Sequence, residues 1–278
     1  MSASGRSDRS SAFTSASVPD EYERHLVPAL FQPWAEVLLD AVKLAPGSRV
    51  LDIASGTGVV ARAAARRAGG DGHVVASDIS APMLGRSGAT AAPQGAAPIE
   101  YREASADALP FEDGAFDVVL CQQGLQFFPA QAGAVDEMRR VLRSGGAAGI
   151  SVWAHGHPLE PFGVYGDELA AVGAQSPFPG AFESDTFTMA LETVRSLFAE
   201  AGFSPVDARV VELQVTWPDA APAVAGVLGT PFGPLVHALS ADQRSRFYGA
   251  LEERFAPREP GGPVHRQTAA VVVRATAS

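Results

Sequence analysis

The chain has 278 residues, 46% of them hydrophobic, so it is long and apolar enough to bury the core of one large domain. A formal net charge of −10 and the lack of a basic run argue against nucleic acid as a substrate, since phosphate contacts provide most of that affinity. No uninterrupted apolar run approaches the roughly 18 residues of a membrane span, and a single cysteine, Cys121, is typical of a reducing, cytoplasmic compartment.

The N-terminal segment is rich in Ser, Ala, Gly and Arg, so residues 1–18 are predicted to form a disordered tail ahead of a single domain at 19–278. It lacks the apolar core of a secretory signal. Helical spacing of apolar residues begins after Pro19, which sets the boundary.

A helical segment is predicted around Tyr22, with breaks at Pro28 and Pro33, where the backbone loses an N–H. Tyr22 and His25 are three residues apart and therefore share a face of this helix. One interpretation is that this face borders a substrate pocket. The other is that Tyr22 packs on the core while His25 is solvated.

Residues 49–61 combine the features of a nucleotide-type site. Apolar residues at 50–53 predict a short buried strand, interrupted by Asp52 near its end. Small residues at 54–58 let backbone N–H groups approach a ligand, and the alanine-rich pattern that follows predicts a helix whose positive N-terminus lies at the same place. The alternative is an ordinary βαβ turn in which Asp52 caps the helix.

The carboxylate of Asp52 decides which nucleotide this turn favours. Gly56, Gly58 and Ala61 fit the loose glycine pattern of NAD and FAD sites. A dinucleotide pyrophosphate would be repelled by Asp52, by roughly 4 kcal/mol at about 4 Å and an effective dielectric of about 20. S-adenosylmethionine (SAM) has no phosphate and carries an ammonium and a sulfonium, which a carboxylate favours. Asp78 ends the next predicted strand, where it can accept hydrogen bonds from both ribose hydroxyls.

Further candidate binding residues follow the predicted strands. Ile79 and Met83 come just after the strand that ends in an aspartate and provide apolar walls for an adenine ring, although Met83 also suits a core position. Strands are predicted at 99–102 and 116–121. Gln122 follows the second of these, at the edge of the sheet where ligands collect, so cofactor and acceptor are expected to meet there.

Two more glutamines, Gln123 and Gln126, are predicted to bind the acceptor, with solvated residues at a helix start as the alternative. A helix with an inner face at 135–142 is predicted to end at the glycine pair of 144–146. A fifth strand follows at 147–153.

The C-terminal part predicts a cap. The stretch 154–184 is rich in Gly, Pro and aromatic residues and is longer than a usual loop, which is typical of a lid or binding segment. A helix at 186–201 and a strand at 206–217 follow. Two helical patches within 218–258 are expected to complete the cap before a last strand at 264–276.

Four stretches carry a resemblance to a known family: 50–61, 76–84, 108–119 and 137–146. Together they are similar to class I SAM-dependent methyltransferases, most of all to small-molecule methyltransferases of the ubiquinone/menaquinone type. Ala54 stands where the family has its first glycine, and Ser144 stands where it usually has proline. The resemblance is strong from about residue 50 to 153 and thin elsewhere.

The resemblance implies an α/β, Rossmann-like fold: a seven-stranded, mostly parallel sheet with its last strand antiparallel, helices on both faces and a partly helical cap. It implies SAM as cofactor and methyl transfer to a small molecule, of the kind made in secondary metabolism. In the family, the loop at 104–111 reads the edge of the adenine. The predicted cofactor-binding residues are Asp52, Ala54, Ser55, Gly56, Gly58, Asp78, Ile79, Met83, Ser105, Ala106, Asp107, Cys121 and Gln122.

The acceptor is predicted to contact Tyr22, His25, Gln123 and Gln126. If the acceptor needs a general base, a histidine near its ordinary pKa suits, and His157 and His25 are the candidates because their segments are expected to border the pocket. No metal-ligand spacing is evident. An Asn-Pro-Pro-Tyr motif is missing after the fourth strand, which argues against N-methylation of amides.

Two other functions remain compatible with parts of this pattern. A NAD-dependent oxidoreductase is disfavoured by Asp52. A methyltransferase-fold protein that catalyses a non-methylating rearrangement, or that binds an effector, is the stronger alternative because a fold does not fix a function. The acceptor, the methylated atom and the oligomeric state are left open by the sequence.

Overall fold

The computed structural model describes residues 18–90, 94–174 and 187–278. Within these ranges seven strands form one sheet in the order β3-β2-β1-β4-β5-β7-β6. The strands are β1 (Arg49–Ile53), β2 (His73–Asp78), β3 (Ile99–Glu103), β4 (Phe116–Gln122), β5 (Leu142–Trp153), β6 (Phe203–Trp217) and β7 (Val264–Ala277). β7 is antiparallel to both of its neighbours and the other pairs are parallel, which confirms the predicted sheet.

Helices cover both faces of this sheet. They are α1 (Val18–Glu21), α2 (Gln32–Val42), α3 (Val59–Ala68), α4 (Ala81–Gly88), α5 (Gln131–Val141), α6 (Phe162–Ala171), α7 (Leu191–Glu200), α8 (Ala220–Ala225), α9 (Gly233–Ala238) and α10 (Ala241–Arg254). Side chains alternate along β1, so Val50 packs in one core with α2 and α3, whereas Leu51 packs in a second core with α5 and α7. The two cores hold the carboxyl ends of the strands in fixed positions.

The N-terminal segment is helical without interruption, because a π-helix at Tyr22–Phe31 joins α1 to α2. The break predicted at Pro28 is wrong: this proline lies inside the π-helix, which continues to Phe31, and the N–H of Gln32 then donates to the carbonyl of Val27. Pro33 does mark a boundary, since it lies in the first turn of α2, where a missing N–H removes no helical hydrogen bond.

The prediction that a helix includes Leu142 and ends at a glycine pair is wrong. α5 ends one residue earlier, and Leu142 begins β5 by pairing with Phe116 of β4. Gly145 has a φ of +76°, and a side chain on Gly146 would lie 3.0 Å from the carbonyl oxygen of Asp117. The glycines therefore let β5 pass close to β4 through an irregular register.

The π-helix packs against the C-terminal helical region, although the two are far apart in sequence. The indole N–H of Trp217 donates to the carbonyl of His25 over 3.0 Å. A side chain on Gly229, in the 3₁₀ turn Gly226–Gly229, would lie 2.5 Å from the backbone nitrogen of Tyr22, so only glycine allows this approach. The buried Tyr165 of α6 donates its hydroxyl to the carbonyl of Ala223 in α8.

Some predicted segments lie partly outside the described residues. The predicted tail is described only at Val18, which is buried, and the predicted cap segment 154–184 only as far as residue 174. No helix in the described part of the chain is long and apolar enough to cross a membrane.

Candidate functional site

A cavity opens at the carboxyl ends of β1, β2, β4 and β5, the edge at which α/β sheets bind ligands. Its polar side follows β1, β2 and β3 and is formed by Ala54, Gly56, Asp78, Ile79, Ser80, Met83, Ala104, Ser105, Ala106 and Asp107. Its aromatic side is formed by Tyr22, Phe31, Phe127, Phe128, Trp153, Phe162, Phe187 and Phe232. Gln122 and Gln123, at the end of the intervening strand β4, lie between the two sides.

The turn after β1 brings the backbone close to the cavity. Ala54 and Gly56 both line the cavity and both have a φ of +54°, so the alanine adopts the left-handed backbone that the glycine of the resembled family adopts without strain. Ser55 is buried behind them. Gly58 has a structural requirement of its own, because a side chain there would lie 2.1 Å from the hydroxyl oxygen of Ser87.

Asp78 is held rigidly at the wall of the cavity. Its Oδ2 accepts the N–H of Gly56 and its Oδ1 accepts the N–H of Ser80, both over 2.8 Å. Burial raises the pKa of this carboxyl above its ordinary value, and the backbone hydrogen bonds oppose that rise in part. Each oxygen keeps a second lone pair for a ligand hydroxyl. Ile79 and Met83 lie beside it, and Ile79 is 55% exposed, which offers an apolar surface to a flat ring.

Asp52 is a buried carboxylate without a partner. It is 1% exposed and lies outside the described lining of the cavity, and neither of its oxygens accepts a hydrogen bond from the residues that the structure describes. Burial raises its pKa well above the ordinary value and the Asp78 carboxylate raises it further, while the nearby amide of Ala61 and the charge of Arg62 oppose that rise. Buried charges are normally paired, so this arrangement suits a cationic ligand.

The loop after β3 supplies the far end of the polar side. Ser105, Ala106 and Asp107 line the cavity, and the Ser105 hydroxyl donates to Oδ1 of Asp107. The serine hydroxyl is therefore already used as a donor, which leaves its lone pairs and the backbone groups of this loop for a ligand.

The glutamines at the end of β4 differ in their surroundings. Gln122 donates from Nε2 to the carbonyl of Phe31 over 3.0 Å, which ties β4 to the π-helix. Gln123 lines the cavity with a φ of +54°, while Gln126 is buried outside the described lining. Cys121 is also buried, and burial raises the pKa of its thiol to about 12, so the thiol stays neutral near pH 7.

The two candidate catalytic histidines lie apart from the cavity, as far as the described residues define its lining. His25 points its Nε2 toward Glu21, 3.1 Å away, and Nδ1 of His157 lies 3.5 Å from the exposed Glu212. Their catalytic role stays a prediction. Tyr22 does line the cavity and stacks on Phe31 with ring centroids 4.7 Å apart.

Sequence reasoning did not find the contact that fastens the π-helix to the turn after β1. Glu23 accepts the hydroxyl of Thr57 and forms an ion pair with Arg62 over 2.6 Å, in a largely buried position. Arg62 also donates to the carbonyl of Thr57. A glutamate in one predicted helix and an arginine in another gave no sequence signal for this pairing.

Residues 50–146 match the family model described as a methyltransferase domain. An uncharacterised protein of Mycobacterium tuberculosis is 40% identical over 121 residues, which cover 44% of this chain and 43% of that protein. A ubiquinone/menaquinone biosynthesis C-methyltransferase of Xanthomonas campestris is 37% identical over 122 residues, or 44% of this chain and 48% of the relative. The chain thus spans less than half the length of these relatives.

Structural similarity extends further along the chain. A phosphoethanolamine N-methyltransferase from Haemonchus contortus, solved with phosphomonomethylethanolamine and S-adenosylhomocysteine, superposes with a TM-score of 0.61 at 16% identity, over 99% of this chain and 60% of that one. At this identity the likeness shows the fold alone. The match of residues 50–146 identifies a methyltransferase domain in this chain.

The matched residues 50–146 include the polar side of the cavity as well as Gln122 and Gln123. Most of the aromatic side, including Tyr22, Phe31 and Trp153, comes from outside the matched region. The polar side of the cavity therefore lies within the matched domain, and most of the aromatic side lies outside it.

Proposed function

We propose that the protein transfers a methyl group from SAM to an apolar, ring-containing small molecule. The observation that carries this proposal is one cavity with a carboxylate-bearing polar side in the methyltransferase domain and a second side of eight aromatic residues. Aromatic side chains contribute large apolar contact areas and favour stacked or edge-to-face arrangements with other rings.

The residues of the polar side fit SAM. In this proposal Asp78 accepts from the ribose hydroxyls through its remaining lone pairs, and the loop at Ser105 and Ala106 meets the adenine beside Ile79. The carboxylate of Asp52 lies outside the described lining and favours the cationic part of the cofactor through its charge. When bound, SAM supplies a methyl group on a positively charged sulfur, which is already electrophilic.

Orientation is then the main task of the protein, and it is worth roughly 7–11 kcal/mol when a bimolecular step becomes unimolecular. No His, Lys or Arg lines the cavity within the described residues, so none of these side chains there is placed to take the proton that the acceptor loses, and this proton passes to solvent. Burial raises the pKa of Tyr22 well above its ordinary value, and the carboxylate of Glu23 raises it further. Tyr22 therefore acts as a neutral hydrogen-bond donor at neutral pH.

The direct test is incubation with methyl-labelled SAM and a panel of ring-containing candidates, followed by mass spectrometry of the products. Label in the acceptor, with formation of S-adenosylhomocysteine, supports the proposal. A product with unchanged elemental composition would favour the rearrangement, and binding of NADH in place of SAM by calorimetry would favour the oxidoreductase.

Replacement of Asp78 by Asn tests the ribose contact. We expect SAM affinity to fall by about 1.5–3 kcal/mol, since an amide nitrogen cannot accept a hydrogen bond and the lost acceptor is charged. Calorimetry measures the change, and Asp71→Asn, on an exposed turn before β2, removes the same charge away from the cavity as a control. Unchanged affinity in a folded Asp78→Asn protein would remove this residue from the cofactor site.

Replacement of His25 or His157 by Gln tests whether either histidine is a general base. Because both lie outside the described lining, we expect kcat to change by less than about twofold, whereas loss of a general base lowers rates by about 10²–10⁴. The pH–rate profile should also keep its shape between pH 5 and 8. A large loss of kcat with unchanged SAM affinity would instead establish that histidine as catalytic.

A further inference from the structure

The carboxylate of Glu23 joins the π-helix to the turn after β1 in a nearly buried position. It forms an ion pair with Arg62 over 2.6 Å, with the side chains of Glu23 and Arg62 13% and 12% exposed, and it accepts the hydroxyl of Thr57. An ion pair on the surface leaves its partners mobile, whereas a buried one must keep its geometry to offset the loss of hydration. The contact therefore fixes the helix and the turn relative to each other.

On the side of the turn, Glu23 holds a residue that lies between two glycines. Thr57 has Gly56 and Gly58 as its neighbours, whose φ values are +54° and +86°. Gly56 lines the cavity and donates its N–H to Asp78. Glycine loses more conformational freedom on ordering than any other residue, so a ligand that contacts this turn also restricts Thr57. The hydroxyl of Thr57 transmits that restriction to Glu23.

On the side of the helix, Glu23 follows Tyr22, and the π-helix places this tyrosine on the same face as Phe31. The two aromatic residues lie nine positions apart, which is about two and a half turns of an α-helix and would put them on opposite sides. Their rings instead stack with centroids 4.7 Å apart, because the i→i+5 hydrogen bonds of a π-helix give a wider turn. The stacked pair thus depends on the register of the helix that Glu23 anchors.

The end of the π-helix has a separate anchor. The carbonyl of Phe31 accepts Nε2 of Gln122 over 3.0 Å, and α2 continues from there into the core. The side chain of Phe31 is 5% exposed, whereas Tyr22 is half-buried and lines the cavity. Phe31 is therefore fixed to the sheet, and the placement of Tyr22 against it is determined at the start of the helix, where Glu23 lies.

We propose that Glu23 is a positioning residue that couples the two sides of the cavity. Cofactor binding at the turn after β1 restricts Thr57, and Glu23 passes this restriction to the wall formed by Tyr22 and Phe31, which prepares the acceptor site. The cofactor thereby meets part of the ordering cost that the acceptor would otherwise meet, and the same coupling acts in the reverse direction. This inference rests on the proposed function, since it requires SAM and a ring-containing acceptor in one cavity.

Calorimetry on the full chain measures the coupling with 2-naphthol, an uncharged aromatic probe, and S-adenosylhomocysteine, which occupies the cofactor site without transferring a methyl group. We expect saturating S-adenosylhomocysteine to tighten 2-naphthol binding about tenfold, and 2-naphthol to tighten S-adenosylhomocysteine binding by the same factor. Equal affinities for 2-naphthol with and without S-adenosylhomocysteine in the wild-type protein would overturn the proposal without recourse to any variant.

Thr57→Val separates this contact from direct contact between the two ligands. Valine has nearly the shape of threonine but lacks the hydroxyl that Glu23 accepts, and the ion pair of Glu23 with Arg62 is kept. The tenfold gain should shrink to within about twofold, while each ligand still binds alone. Thr268→Val is the matched control: Thr57 and Thr268 are both 1% exposed, but the hydroxyl of Thr268 donates to the carbonyl of Leu213, outside the described lining. It should leave the tenfold gain intact.

A tenfold gain that survives in Thr57→Val, or that is lost equally in Thr268→Val, contradicts the inference. If Thr57→Val does not fold, the presence or absence of reciprocal coupling in the wild-type protein still decides it. Failure of the proposed function has a different signature: the wild-type protein would then not bind S-adenosylhomocysteine or would transfer no label to any ring-containing candidate.

Discussion

Gly56→Val should weaken SAM binding by at least about 100-fold, because a β-branched side chain at a φ of +54° is strained and would fill the space beside Asp78 that the cofactor needs. The space next to Gly56 is open in the described residues, so the loss would come from the ligand's side of the turn. Calorimetry with SAM and with S-adenosylhomocysteine measures it.

A matched glycine separates strain from obstruction. Gly47 has a φ of +78° and equally open surroundings within the described chain, but it precedes β1 and lies outside the described lining. Gly47→Val should cost stability without a change in SAM affinity. Equal losses of affinity in the two variants, or normal binding by Gly56→Val, would show that the turn does not hold the cofactor.

Asp52→Asn should raise the stability of the ligand-free protein while weakening SAM binding by roughly 10- to 100-fold. The carboxylate is buried, partnerless among the described residues and close to Asp78, so a neutral amide of the same shape removes an unfavourable charge. The same change removes the group that favours a cationic ligand. Thermal unfolding without ligand and calorimetry with SAM give the two halves of this result.

The effect on stability has a defined dependence on pH. Burial raises the pKa of Asp52 in the folded protein above 3.8, its ordinary value. The contribution of Asp52 to the free energy of unfolding is therefore fully present below pH 3.8 and is lost as the pH rises through the pKa of the folded protein. The gain in Asp52→Asn should therefore be absent in acid and grow toward neutral pH.

Asp117→Asn provides a control of opposite sign. Burial alone would raise the pKa of Asp117, but hydrogen bonds from the N–H of Arg49 and from Arg143 hold it below its ordinary value. Asp117→Asn should therefore lose stability at neutral pH and keep SAM affinity.

A loss of stability in Asp52→Asn at pH 7 would contradict the assignment of an unpaired charge.

Local sequence predicted the fold and many residues that line the polar side, but four further residues predicted to bind the cofactor lie outside the described lining: Asp52, Ser55, Gly58 and Cys121. The apolar run at 50–53, the small residues that follow it and the strand that ends in Asp78 are all within thirty positions of one another, so spacing alone indicates how they meet. The end of the helix before Leu142 was missed because Leu142 pairs with Phe116 in the sheet. This pairing is a tertiary contact, and the helical spacing of apolar residues contains no information about it.

The aromatic side was not predictable in the same way. Phe31, Trp153 and Phe232 come from segments far apart in the chain, and only the packing of the π-helix on the C-terminal helices brings them to one cavity. His157 was chosen for its place in a segment expected to border the pocket, and the structure places its Nδ1 3.5 Å from the exposed Glu212 of β6. Membership of a segment near a pocket does not fix the direction of a side chain.

The place of β7 between β5 and β6 determines when the sheet can be completed during protein synthesis. In the described chain β6 pairs with the sheet only through β7, although β6 leaves the ribosome first. Until β7 is made, β5 carries an open edge and β6 has no partner, and open strand edges promote pairing with other chains. Substitutions that weaken β7 should therefore reduce the yield of folded protein in the cell more than they reduce the activity of the molecules that do fold.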